Sequence, residues 1–172
     1  MRRNALTMLF AVVSVAAILL AGAFVLAPRT EIVTEVQIDA TPGEVWSLLG
    51  NPEGYRDWNP FIVSMEGELA EGATLTNIMK PASGAEMTFR PTVLKAEPEK
   101  ELRWLGRLVL PRVFDGEHYF ILHEHEGGTR LVHGERFQGV LLWFIDTQQF
   151  RADFERMNAA LKMRAETGAA AS

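Results

Sequence analysis

Between Ile62 and Phe137 the chain alternates apolar and polar residues in six runs, 62–68, 74–80, 85–96, 100–109, 117–126 and 129–138, and this pattern predicts strands. Turn residues separate them: Glu71-Gly72, Pro81 to Gly84, Glu97-Pro98-Glu99, Pro111 to Gly116 and Gly127-Gly128, the last a two-residue hairpin turn. The order predicts an antiparallel meander. A seventh run, Glu31 to Ile38, is rich in β-branched residues and stops at Asp39-Ala40-Thr41-Pro42. There Thr41, Pro42 and Glu44 make a capping box ahead of Val45, Trp46, Leu48 and Leu49, so a helix follows the first strand. A second short helix is expected from Asn51-Pro52 to about Tyr55, before Trp58-Asn59-Pro60-Phe61 breaks it. After Gly139 the period lengthens: Phe150, Phe154, Met157 and Leu161 recur at helical spacing, with charged residues on the other faces. A helix from Asp146 to Glu166 is predicted, about 30 Å long and able to cross a small sheet.

The amino-terminal segment follows neither period. From Ala5 to Ala27 no residue is charged, and only Thr7, Ser14 and Gly22 are not apolar. As a helix this run would cover about 35 Å, more than a hydrocarbon core of about 30 Å, whereas a secretory apolar region is usually about 7 to 15 residues. Length therefore favours an uncleaved single transmembrane helix. Ala21-Gly22-Ala23 and Val25-Leu26-Ala27 keep open the alternative of cleavage near Ala23 or Ala27, giving a secreted or periplasmic form. Arg2 and Arg3 precede the run, so the amino terminus is expected in the cytoplasm and the rest of the chain on the extracytoplasmic side. The expected division is a cytoplasmic 1–4, a span over 5–27, a linker over 28–30, one ligand-binding domain over 31–166 and a disordered tail over 167–172.

Composition narrows the chemistry. The chain has 172 residues and no cysteine, which leaves room for one ordinary domain and excludes disulfides, thiolate nucleophiles, cysteine-held metals and a lipoprotein anchor. Lysine and arginine number 17 against 22 acidic residues, and both arginines ahead of the span would be separated from the domain. An acidic domain does not suit nucleic-acid phosphates, and no nucleic-acid partner is expected. G-x-S-x-G, P-loop, G-x-G-x-x-G and H-E-x-x-H signatures do not occur, and neither a metal nor a cofactor is expected.

Several local motifs together resemble a known family. They are Val36 to Trp46, reading V-x-I-x-A-T-P-x-E-V-W; Trp58-Asn59-Pro60-Phe61; Leu102-Arg103-Trp104-Leu105-Gly106; Phe114-Asp115-Gly116-Glu117-His118-x-Phe120; and Glu135-x-Phe137-x-Gly139. Over residues 31–166 the chain resembles the SRPBCC superfamily, the helix-grip fold shared by START lipid-transfer domains and the polyketide cyclase/dehydrase group. The resemblance implies an α+β fold: a seven-stranded curved antiparallel sheet wrapped around the long carboxy-terminal helix, with two short helices after the first strand. It also implies an apolar cavity between sheet and final helix that holds a lipid or other hydrophobic small molecule. Members share no catalytic motif, so the fold does not name an activity.

Strand parity indicates what would line such a cavity. With the apolar parity inward, the lining is Met87, Phe89 and Val93; Leu102, Trp104, Gly106 and Leu108; His118, Phe120 and Leu122; and Leu131, His133, Glu135 and Phe137. His123 and His125 have the opposite parity and should face solvent. A Gly127-Gly128 turn sets Phe120 opposite Glu135, Leu122 opposite His133, and His118 diagonal to Glu135. His118, His133 and Glu135 are therefore the candidate catalytic residues, open to four readings: a satisfied core polar cluster, ligand orientation, acid–base catalysis or metal ligation. The candidate ligand-binding set is Trp58, Asn59 and Phe61 at the mouth, with Met87, Phe89, Trp104, His118, Phe120, His133, Glu135, Phe137, Phe154 and Met157 inside. Three functions are expected to compete: a membrane-tethered carrier or sensor, a cyclase/dehydrase-type enzyme using the His/Glu cluster, and an interaction domain with a filled core.

Overall fold

Strand β1 (Arg29–Ile38) runs into the capping box at Thr41: its hydroxyl accepts from the Glu44 N–H at 3.3 Å, while Glu44 Oε2 accepts from the Thr41 N–H at 2.7 Å. Pro42, whose ring suits a first helical position, opens the helix that follows. The computed structural model describes residues 2–82 and 84–169, without the side chains of 2–7, 9, 19, 20 and 169. Its helices are α1 (Arg2–Val25), α2 (Pro42–Leu49), α3 (Tyr55–Trp58) and α4 (Arg151–Ala169). After β1 the strands are β2 (Ile62–Glu66), β3 (Thr76–Met79), β4 (Met87–Phe89), β5 (Thr92–Glu97), β6 (Glu101–Arg107), β7 (Asp115–His125) and β8 (Gly128–Gln138).

Among the described residues these are eight strands in two antiparallel sheets, ordered β1-β8-β7-β6-β5 and β2-β3-β4, where one seven-stranded sheet was expected. The expected run 85–96 is two strands because Pro91 has no N–H to give a ladder and restricts Arg90 before it. The Pro91 carbonyl accepts from the Leu75 N–H at 2.9 Å, and the Val93 N–H donates to the Ala73 carbonyl at 2.8 Å, so the small sheet meets the large one through residues 72–75. The chain thereby turns a corner, and the two sheets stand as adjoining walls.

The hairpin turn between β7 and β8 also differs from expectation. Glu126 (φ 49°) and Gly127 (φ 84°) form its tip, with His125 opposite Gly128. Gly128 lies in the strand, so close to the Ile38 carbonyl of β1 that any side chain there would collide with it. The register moves by two residues, placing His118 opposite Glu135 and Phe120 opposite His133. A shift of two preserves which face each residue occupies.

Helix α4 lies across the large sheet with Phe154, Met157 and Leu161 fully buried. Lys162 Nζ donates to the Gln37 carbonyl at 2.7 Å and Glu166 accepts from the Asp39 N–H at 2.8 Å, fastening the end of the helix to the end of β1. The helix begins at Arg151 rather than Asp146, because Asp146 caps a 3₁₀ turn over Thr147–Phe150 by accepting from the Gln148 N–H at 2.9 Å. It continues to Ala169, into the segment expected as a tail, and residues 170–172 lie outside the described residues.

Where a membrane span is expected, α1 is helical over Arg2–Val25. Among the described residues, however, no helix is long and apolar enough to cross a membrane. The expected span relies in part on residues 5–7, 9, 19 and 20, whose side chains lie outside the described residues.

Candidate functional site

Strands β7 and β8 carry His118, His133 and Glu135 on the face turned toward α4, and that helix answers with Asn158, which is 4% exposed. Thr34 of β1 completes the group. Asn158 Nδ2 donates to Thr34 Oγ1 at 2.8 Å, and the Thr34 hydroxyl donates to the His133 carbonyl at 2.9 Å. Asn158 Oδ1 is thus left for His133 Nδ1 at 2.7 Å, which requires the hydrogen on that nitrogen. A neutral His133 then offers only a lone pair at Nε2, so His118 Nε2 donates to it across 2.8 Å. His118 in turn has a lone pair at Nδ1, 3.2 Å from Glu135 Oε2. The bond closes with the Glu135 carboxyl as the donor.

The surroundings favour the same protonation. His118 is stacked on Trp104 at 4.9 Å between centroids, and His133 lies between Phe120 and Phe154, each at 4.4 Å. Both histidines are buried. Burial lowers His118 to about 3 and holds His133 well below the usual imidazole range, with the neighbouring His118 adding to the effect. Burial pushes Glu135 up to about 8, so at neutral pH its carboxyl is mainly protonated.

At its Glu135 end this chain of side chains opens on a cavity of about 70 Å³. Its walls come from both sheets and the turn before α4. Phe61, Met87, Phe89, Trp104, His118, Glu135 and Phe137 of the candidate set line it. Gly106 and Gly116, opposite each other on β6 and β7, leave the space, and any side chain at Gly116 would overlap Oε1 of Glu135. Leu108, also in the lining, is 46% exposed and stands at the opening.

The cavity is therefore between the two sheets at one end of α4, rather than along the helix as expected. Phe120, Phe154 and Met157 do not border it, because they fill the sheet–helix interface completely and are 0% exposed. His133 sits one bond behind the lining. Asn59 is turned away too: its Oδ1 accepts from the Phe61 and Ile62 N–H groups, each at 2.9 Å, and so holds the turn into β2. Trp58 packs on Tyr55 at 5.1 Å, away from the cavity. His123 and His125 are exposed. Among the described residues no group of three His, Asp or Glu side chains is arranged to hold a metal ion.

Three polar residues of the site do not stand out in the sequence. Asn158 lies four residues after Phe154, and an uncharged polar residue on that buried stripe was its only signal. Thr34 reads as an ordinary strand residue. Asn77, 2% exposed on β3, borders the cavity from the small sheet, and its Oδ1 has no hydrogen-bond partner among the described residues.

The same architecture occurs in solved structures. A Staphylococcus aureus protein of unknown function has a similar structure, with a TM-score of 0.64 at 13% identity over 85% of this chain and 99% of that one. A protein from Thermus thermophilus gives 0.63 at 20% identity over 83% of this chain and 100% of that one. The di-domain ARO/CYC BexL from the BE-7585A biosynthetic pathway gives 0.58 at 16% identity, over 81% of this chain and 49% of that one. At such identities these likenesses speak for the fold, and no curated protein matches the chain. The family profile described as polyketide cyclase / dehydrase and lipid transport matches residues 29–166, most of the chain, and the protein belongs to that family.

Proposed function

We propose that the domain binds a small, mainly apolar molecule in the cavity between its two sheets and acts as a carrier or sensor for it. The observation that carries this reading is a protonatable carboxyl, Glu135, set at the floor of a pocket whose other walls are largely aromatic and methionine side chains. The volume of about 70 Å³ is below the roughly 300 Å³ common for small-molecule sites, so a bulkier lipid enters only if the rim yields. Met79 and Met87 at that rim have flexible, polarisable side chains suited to repacking around a guest. Native mass spectrometry of the gently purified chain tests the proposal. A co-purifying apolar compound of low mass is expected, and a chain that carries none and takes up no apolar probe overturns the reading in favour of a filled interaction domain.

A second reading, a cyclase/dehydrase-type enzyme, draws support from the line Glu135–His118–His133–Asn158, which can hold a proton and return it to a bound ketone. The same spectrum separates it, because an enzyme would convert a bound compound into a partner lighter by one water.

The reading also tethers the domain to a membrane through residues 5–27, with the amino terminus in the cytoplasm and the domain on the far side. The uncharged run after Arg2 and Arg3 supports this. So does the loop surface at the exit of α1, where Val109 and Phe144 are 83% and 84% exposed and Gly139 donates to the Pro28 carbonyl at 3.2 Å. The full chain is expected to stay in the membrane fraction through high-salt and carbonate washing. Recovery of a soluble form starting at Phe24 or Pro28 would show cleavage instead.

A further inference from the structure

We infer that the cavity selects a neutral, hydroxyl-bearing guest, with Asn77 and Glu135 as its recognition pair. The inference rests on the cavity being a binding site and adds the chemical class of the occupant.

Each sheet contributes one polar group with unused hydrogen-bonding capacity. From the small sheet comes Asn77, whose buried Oδ1 has no partner among the described residues. Leaving a buried amide oxygen unpaired carries a desolvation penalty that a leucine of similar size would not have there. From the large sheet comes Glu135, whose Oε2 is engaged with His118 while Oε1 lies over the bare backbone of Gly116. Because the carboxyl proton is directed at His118, Oε1 is a neutral carbonyl-type acceptor. Glu135 Oε1 thus awaits a donor, and the Asn77 amide can meet a guest through its nitrogen or, once turned, through its unpaired oxygen.

A hydroxyl meets this need, and it also accepts, so either orientation of the Asn77 amide suits it. An anionic head does not fit. Glu135 Oε1, an acceptor, would repel it, and Arg107, which borders the cavity, already donates to Asp115 Oδ1 at 3.1 Å. A bare hydrocarbon would fill the aromatic walls and leave the Asn77 oxygen as unpaired as before.

Three probes of nearly one shape separate these cases: toluene, 4-methylphenol and 4-methylbenzoate. They are titrated at neutral pH into the full chain in phosphatidylcholine nanodiscs, with free probe measured by dialysis and occupancy read from the ¹³C-methyl signals of Met79 and Met87. The expected result is that 4-methylphenol binds at least tenfold tighter than either other probe. Asn77→Leu is expected to cut that preference to within about twofold while toluene still binds, which also shows that the variant is folded. Equal binding of toluene and 4-methylphenol overturns the inference and leaves the cavity reading intact, as does a preference that survives in Asn77→Leu. Tightest binding of 4-methylbenzoate overturns it in favour of anion capture by Arg107. If no probe moves either methyl signal, the cavity reading falls, and this inference with it.

Discussion

Phe154→Ala destabilises the domain by about 3 to 5 kcal/mol, the range for truncating a buried aromatic whose space cannot close. The residue is 0% exposed, and its ring packs on His133 at 4.4 Å, His118 at 5.0 Å and Phe61 at 5.8 Å. Removing it therefore does more than forfeit apolar burial, because it opens a void beside two imidazoles whose neutrality depends on dry surroundings. Chemical denaturation followed by tryptophan fluorescence measures the loss. A change under about 1 kcal/mol, the size of a surface substitution, would mean that α4 does not clamp the sheet through this ring.

Stability is expected to peak near pH 6.5 and to fall on both sides for different reasons. The folded-state values of His118 and His133 lie below the unfolded value of about 6.5, so the unfolded chain takes up protons that the folded one refuses. Stability present above that value is lost as pH drops toward about 3, the folded value for His118. Glu135 works in the opposite sense. Its folded value, about 8, lies above the unfolded 4.5, so the folded chain keeps a proton that the unfolded chain releases, and this contribution is lost as pH rises through about 8. Near pH 6.5 the two half-protonated unfolded histidines balance the one proton held by Glu135, which sets the maximum. Each uncompensated proton changes stability by about 1.4 kcal/mol per pH unit, and because the unfolded histidines offset part of it the loss between pH 6.5 and 8 is about 1 kcal/mol. Denaturation profiles from pH 4 to 9 should show this, and Glu135→Gln should remove the alkaline limb while keeping the acid one. An alkaline limb unchanged in the glutamine variant would assign the proton to another group.

Much of this was legible in alternation and turn chemistry. The inward faces of β6, β7 and β8 follow from parity, which is why His118, His133 and Glu135 could be singled out together. Their register could not, since adjacent glycines leave open which pair makes the turn, and the Ile38 carbonyl that crowds Gly128 belongs to a strand ninety residues away. The corner at Pro91 was visible as a residue but not as a change of sheet, because a proline that ends one strand can equally sit on an edge. The cavity was the least legible feature. Inward apolar residues can touch each other, as Phe120 and Phe154 do through His133, or enclose space, as Trp104 and Phe137 do around Gly116, and periodicity is the same in both cases.

The neighbour of β1 in the large sheet is β8, with Arg29 opposite Gln138 and Ile38 opposite Thr129. The first strand to be synthesised therefore waits for the last before it has any partner in the sheet, and α4, which covers it, is made later still. Closing pairs so distant in sequence slows folding, so completion of this domain must wait until β8 and α4 are available. During that wait β1 is an unpaired strand with apolar residues on one side. Glu31 and Glu35, charged and on its other side, lower its tendency to pair with β1 of another nascent copy.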